Sequence, residues 1–391
     1  MSLRRTTRVD GIDLLRGAAI FFVLMNHVNM RLLHAKVPYT AGLPDQLVSS
    51  LVWKGQYAVQ MFFALSGFLI TTTALRRWGS LAQINLRDFY VLRFARIAPL
   101  LLLLLLILST LHFAQLQDFV VPESRGGLGR ALLAALTFHV NVLEAHRGYL
   151  PANWDILWSL SVEEMFYLGF PLLCTFLGGG RLLIAALVGF AVIGPFARTV
   201  FAHGNEVWQE YSYLGGMDAI ALGCLAAMLC FARTWSTRSL RTLGACGAGI
   251  LVFSFGFSIF ANFLGLSRSG LNMTLLAAGT CMVAIASSQS GWRSPKVLGP
   301  LLTLGQRSYE TYLTHMFVVF ACFDLFVYGG KALSSVPLLF VATLACAAVL
   351  GDVVARFYSE PMNWLLRRRW RGKAALESLV TARADLKPTG A

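Results

Sequence analysis

The chain has 391 residues, 57% of them hydrophobic and only 13% charged, with a formal net charge of +14. Soluble domains carry about 25% charged residues, so composition excludes an ordinary soluble fold and makes lipid the main solvent. The positive charge does not mark nucleic-acid binding, because Lys and Arg gather at the ends of apolar runs, as the positive-inside rule requires.

A membrane-crossing helix needs about 20 mostly apolar residues. Such runs occur at 12–30, 53–75, 96–115, 155–177, 181–200, 212–232, 241–263, 270–288, 307–328 and 334–357. They predict an all-α, polytopic transmembrane helix bundle of about ten spans. The first run holds Asp13, Arg16 and His27 and no small-residue cleavage site follows it, so it is expected to remain as a helix.

A shorter apolar piece at 130–143 is expected to be re-entrant or interfacial. As an eleventh crossing it would turn the Arg-rich 233–241 stretch and the basic tail outward. Kept out of the count, it leaves Arg4, Arg5, Arg8, Arg76, Arg77, Arg93, Arg96, Arg233, Arg238, Arg241 and Arg307 on one side with the tail. The expected division is a cytoplasmic segment at 1–11, one membrane domain at 12–357 and a cytoplasmic tail at 358–391, disordered after Trp370. The expected location is the cell's inner (cytoplasmic) membrane. No repeat, linker or second soluble domain is visible.

Seven cysteines lie inside apolar runs without a CxxC pair. They read as small apolar fillers, and neither a disulfide framework nor a metal site is expected. GxSxG, P-loop, HExxH and His-x4-Asp patterns are absent, which removes the common hydrolase, ATPase and zincin readings.

Ionisable groups inside spans cost roughly 2.5–3.5 kcal/mol each on insertion scales, so each asks for a role. In the first span Asp13 and Arg16 share a face and are placed to pair. His27 follows Arg16 by eleven residues, on the same face and about 16 Å further along the axis. Arg16 then sits near the cytoplasmic end and His27 deep. Alternatively Arg16 snorkels and His27 bonds a neighbouring helix. Glu163 and Glu164 lie adjacent in the fourth span and point about 100° apart, one toward a cavity and one toward a local partner, unless both are interfacial. Arg93 and Arg96, one turn apart, form either a phosphate fork or a topological anchor. Tyr309, Tyr312 and His315 recur every three residues and stripe one face, for function or for helix packing. Asp218, Asp352 and Glu360 near span ends read as packing residues.

Five blocks of these residues resemble the acyltransferase-3 family of membrane-bound acyltransferases. They are Asp13 to His27; Phe62-Phe-Ala-Leu-Ser66-Gly through Thr71; Arg93 to Pro99; Trp158 to Tyr167 with Pro171; and Leu304 through Tyr309 to His315. They keep their order across residues 11–361. Leu14, where the family often has Gly, and Met165, where it often has Gln, are mild departures. The extracytoplasmic esterase-like domain that some members append is not seen, which favours direct transfer to the acceptor.

The resemblance implies transfer of an acyl group, usually acetyl, from cytoplasmic acyl-CoA to a hydroxyl of a glycan or lipid-linked saccharide. No permanently bound cofactor and no nucleic acid is implied; the bilayer, acyl-CoA and the acceptor are the expected partners. Arg16 and His27 match the family's basic residue, ten spacers and histidine regarded as catalytic. Arg93 and Arg96 match its Arg-x-x-Arg element. In this reading His27 is the general base or is transiently acylated, and Glu163 or Glu164 orients it. Arg16, Arg93 and Arg96 hold the CoA, while Asp13, Tyr309, Tyr312 and His315 contact substrate. A transporter of a lipid-linked or acylated small molecule is the main rival, although no inverted repeat supports it; a non-enzymatic membrane scaffold is the other.

Overall fold

The computed structural model describes residues 8–370, and all regular structure among them is helical. Ten helices are long and apolar enough to cross a membrane: α1 (Asp10–His34), α2 (Gly55–Trp78), α3 (Leu86–Phe113), α4 (Ala152–Phe176), α5 (Arg181–Arg198), α6 (Glu206–Ala232), α7 (Thr237–Gly256), α8 (Leu271–Ser290), α9 (Ser308–Tyr328) and α10 (Leu333–Trp370). Each corresponds to one of the ten expected runs. Leu102, Leu106, Val341 and Val349 stand exposed on the outside of the bundle, as lipid-facing side chains must.

The apolar piece at 130–143 does not cross. It forms two short helices, Gly127–Leu136 and Val140–Arg147, broken where Phe138 takes φ 58°. Ten residues rise about 15 Å, half the thickness of an apolar core of about 30 Å. The break is held from both sides. Tyr213 Oη donates to the Phe138 carbonyl at 2.5 Å, and the Val140 N–H donates to Ser161 Oγ at 3.2 Å. Consequently α4 starts at the end of the bundle where α3 finishes.

Two boundaries differ from the sequence reading. α3 begins at Leu86, ten residues before the expected span, because Asn85 caps it by accepting from the Asp88 N–H at 2.9 Å. Arg93 and Arg96 therefore lie within a helix, not at its entrance. α10 continues beyond 357, through a π-turn at Ala355–Ser359, to Trp370. The expected N-terminal arginines Arg4 and Arg5 and the tail after Trp370 lie outside the described residues.

Glycine sets how closely the spans approach. A Cβ on Gly67 of α2 would lie 1.9 Å from the Ile220 carbonyl oxygen of α6, and one on Gly223 of α6 would lie 2.0 Å from the Ala64 carbonyl oxygen of α2. The same reciprocity joins α1 to the short helix Gly299–Gln306, where Gly17 meets Leu301 and Gly305 meets Asp13. With no hydrophobic drive between helices in lipid, such small-residue contacts carry much of the association. A buried polar knot adds to them. Arg198 Nη2 is 2.8 Å from Asp218 Oδ2, and Asp218 also accepts from Gln60 at 2.8 Å and Thr274 at 2.9 Å. This ties α5, α6, α2 and α8 together and gives Asp218 the packing role expected of it. Asp352 and Glu360 likewise pair with Arg307.

Candidate active site

α1 is one uninterrupted helix, so Arg16 and His27 keep the spacing of about 16 Å that eleven residues impose. Both side chains remain partly accessible, although their chain neighbours Gly17, Met25 and Val28 are buried. The face they share is therefore not sealed by packing.

Arg16 forms no hydrogen bond or ion pair. The charges that act on it are those of Arg96 first, then Asp13, Glu163 and Glu310. The expected Asp13–Arg16 pair does not close. Asp13 is buried against Gly305, and its Oδ2 has no partner. The close approach of α1 to the Gly299–Gln306 helix fixes Asp13 in that position.

The expected Arg93–Arg96 fork is divided. Arg93 turns toward α4, where its Nη2 lies 3.0 Å from Glu164 Oε1 and 3.8 Å from Glu163 Oε1. Its guanidinium carbon also sits 3.6 Å over the Tyr167 ring. Arg96, one turn on, is exposed and has no hydrogen bond or ion pair. Of the site's arginines, those without a direct partner among the described residues are thus Arg96 and Arg16, from two different helices, rather than neighbours on α3.

The two carboxylates divide similarly. Glu164 is buried and committed to Arg93. Glu163 is partly accessible and takes all its contacts on Oε1: Ser66 Oγ donates to it, Tyr167 Oη donates at 2.6 Å, and Arg93 lies beyond. Oε2 makes no hydrogen bond. Neither carboxylate hydrogen-bonds to His27. The ring that faces His27 belongs to His315, with centroids 5.0 Å apart and planes at 46°.

His315 is 1% exposed. Its Nδ1 is 2.5 Å from the Tyr312 carbonyl oxygen, which only accepts, so Nδ1 carries the proton and Nε2 presents a lone pair. That Nε2 is buried and without a partner. The other two members of the stripe serve as ties. Tyr309 Oη donates to the Ile97 carbonyl at 2.9 Å, and Tyr312 Oη meets Ser159 Oγ at 2.7 Å and the Ile156 carbonyl at 3.2 Å. α9 is thereby fastened to α3 and α4 with His315 held against α1.

The structure thus brings Arg16, Arg96, Glu163, His27 and His315 to one side of α1, and assigns Arg93 and Glu164 to each other. Ser66, Tyr167 and Glu310 join the site without having been singled out from sequence. All three lie inside the resembling blocks, so their position beside Glu163 and Arg16 was the missing signal. Arg16 and Arg96 are the site arginines without a hydrogen bond or ion pair among the described residues, and His27, His315 and Glu163 are the ionisable groups that stand with Arg16.

Residues 9–352 match the profile of a family described as an acyltransferase domain. The chain is 23% identical over 370 residues to the O-acetyltransferase OatA of Staphylococcus aureus, an alignment covering 91% of this chain and 57% of that protein. It is 26% identical over 339 residues to the peptidoglycan O-acetyltransferase OatA of Listeria monocytogenes, covering 80% of this chain and 50% of that protein. The chain thus spans about half the length of the curated relatives it matches. No solved structure matches it. With five blocks in order and a family match over nearly its whole length, the chain belongs to the membrane-bound acyltransferase-3 family.

Proposed function

We propose that the chain is an O-acyltransferase that moves an acyl group, acetyl first among the candidates, from acyl-CoA to a hydroxyl of a glycan or lipid-linked saccharide. The observation that carries this reading is two arginines without a hydrogen bond or direct ion pair among the described residues, Arg16 and Arg96, with an unbonded histidine deeper on the Arg16 face. CoA is bulky and anionic at one end and slim along its pantetheine arm. Free guanidiniums at the arginine-rich end of the bundle hold the phosphates, and the arm follows the α1 face toward His27. That end is the cytoplasmic one in this reading, with both chain ends on it. The relatives named for peptidoglycan O-acetylation support a cell-wall glycan as acceptor.

The chemistry follows from the groups in place. His27 takes the proton of the acceptor hydroxyl as its oxygen attacks the thioester carbonyl carbon. The new C–O bond forms, the C–S bond breaks, and the CoA thiolate leaves with the proton returned by the imidazolium. His315, with its Nε2 lone pair beside His27, accepts a hydrogen bond from the ring when His27 becomes cationic. Glu163 adds negative charge along the path through its free Oε2, and Glu164 keeps Arg93 in place.

Mass spectrometry of surface glycans from cells making the wild-type chain, His27→Ala or no chain tests the reading. An acyl mass increment present with wild type and absent from the other two is expected. An increment that persists with His27→Ala, at equal membrane abundance, removes His27 from the chemistry. Export of a small molecule from vesicles without acyl-CoA consumption turns the reading toward a transporter.

A further inference from the structure

Between Asp218 and Glu310 the chain has no Asp or Glu, while Arg233, Arg238 and Arg241 cluster where α7 begins. Arg238 and Arg241 are exposed, and the Arg238 guanidinium makes no hydrogen bond or ion pair among the described residues. Cations gathered without carboxylates at the arginine-rich end of the bundle leave a positive field that nothing in this stretch neutralises.

An open groove of about 480 Å³ lies beside these arginines. Its walls are α7 from Arg238 to Cys246, with Trp235 at the head and Met282 of α8 opposite. Polar and apolar groups are separated along it. Arg238, Ser239 and Thr242 stand near the start of α7, and Leu243, Cys246 and Met282 form an apolar floor toward the middle of the span. From Arg238 to Cys246 the helix rises about 12 Å. Arg238, Ser239, Thr242 and Cys246 are exposed, so the groove is reachable from outside the bundle. Thr242 Oγ1 donates to the Arg238 carbonyl at 3.1 Å, which leaves Arg238 and Ser239 as donors to a ligand. Ser236 Oγ accepts from the Ser239 N–H at 3.1 Å and meets Ser239 Oγ at 2.9 Å; with Ser236 as donor there, the Ser239 proton is free to reach an anion. The head of the groove is held in place. The Trp235 N–H donates to Gln289 Oε1 at 3.1 Å, and Gln289 Nε2 donates to the Cys230 and Arg233 carbonyls at 2.7 and 2.8 Å, which ties the loop before α7 to the end of α8. The Arg233 guanidinium carbon lies 4.7 Å over the Trp235 ring, and Trp is enriched at the level of lipid headgroups.

We propose that this groove binds an acidic phospholipid of the surrounding leaflet, with its headgroup phosphate on Arg238 and Ser239 and an acyl chain over Leu243, Cys246 and Met282. Charge selects the occupant. No carboxylate lines the groove, and basic groups between spans at a charged leaflet draw anionic headgroups. A zwitterionic lipid brings its own cation to the phosphate and gains less from Arg238. A free phosphate gains from Arg238 but leaves the apolar floor uncovered. The groove shares no residue with the site around Arg16 and His27, so lipid binding and acyl transfer are separable.

The test uses the full chain in an uncharged detergent, reading thermal unfolding as phosphatidylglycerol, phosphatidylcholine or glycerol phosphate is added. The wild type is expected to show a saturable rise in Tm with phosphatidylglycerol that exceeds the rise with phosphatidylcholine. Arg238→Gln should unfold like wild type without lipid and weaken the apparent affinity about fivefold. Cys246→Phe fills the apolar floor without changing charge and should weaken it at least as much. Arg181→Gln, exposed at the same end of the bundle but outside the groove, should respond like wild type. Equal responses to the two lipids overturn the proposal. Equal weakening by Arg238→Gln and Arg181→Gln also does so, because it means a diffuse surface field. A full rise with glycerol phosphate alone overturns it by making the ligand a free phosphate. A dimer mass in light scattering that Cys246→Phe reduces to the monomer overturns it by assigning the groove to a second copy of the chain.

Discussion

His27 on α1 and His315 on α9 face each other with ring centroids 5.0 Å apart, and the hydrogen bond from His315 Nδ1 to the Tyr312 carbonyl leaves its Nε2 lone pair without a partner. In the proposed reaction the untied His27 is the base and the tied His315 is the acceptor for its second N–H. If His27 is the general base, His27→Ala should lower kcat by about 10²–10⁴-fold. His315→Asn should lower it less, with little change in the acyl-CoA KM. The double variant should be no slower than His27→Ala alone, because groups that act as a unit are not additive. Steady-state kinetics of the three variants in nanodiscs check this; a double variant much slower than His27→Ala separates the two roles.

Arg96 and Arg93 should give opposite phenotypes although they stand one turn apart. Arg96→Gln removes a free guanidinium and should raise the acyl-CoA KM about tenfold with unfolding unaffected. Arg16→Gln should behave the same way. Equal acyl-CoA KM values for wild type and both variants would falsify the phosphate role.

Arg93 and Glu164 are an ion pair with side chains 22% and 9% exposed. Removing Arg93 strands the buried Glu164 and should cost about 3–5 kcal/mol, whereas removing Glu164 leaves Arg93 with Glu163 and Tyr167 and should cost less. Arg93→Ala is expected to lower Tm sharply and Glu164→Ala less so, whereas the double apolar variant Arg93→Met with Glu164→Met recovers much of the Arg93→Ala loss. Thermal unfolding in detergent reads this cycle, and additive losses in the double variant count against the pairing.

Gly67 and Gly223 let α2 and α6 touch backbone to backbone. A methyl group at either position meets a carbonyl oxygen at 1.9–2.0 Å, so the helices must separate. Gly67→Ala and Gly223→Ala should each destabilise by about 1–3 kcal/mol or more. Wild-type Tm in either variant would show that the contact relaxes at no cost. Gly189, where nothing lies within 4 Å of the added atom, is the control, and its alanine variant should unfold like wild type.

The amino-acid sequence by itself determined the ten spans, because an apolar run of about 20 residues is a local property that lipid reads directly. It also singled out Arg16, His27, Arg93, Arg96, Glu163, Glu164 and His315, because ionisable groups inside such runs are costly wherever they end up. Tertiary structure alone decided their partners. Arg93 and Glu164 are 71 residues apart, and nothing local separates Arg93 from Arg96 or Glu163 from Glu164. Which arginine is neutralised and which is free depends on how α3 lies against α4. The same holds for His27, whose neighbour comes from α9 rather than from the carboxylates of α4. Likewise the break between the two short helices of the 127–147 segment is held by Tyr213 of α6 and Ser161 of α4, which no local pattern announces.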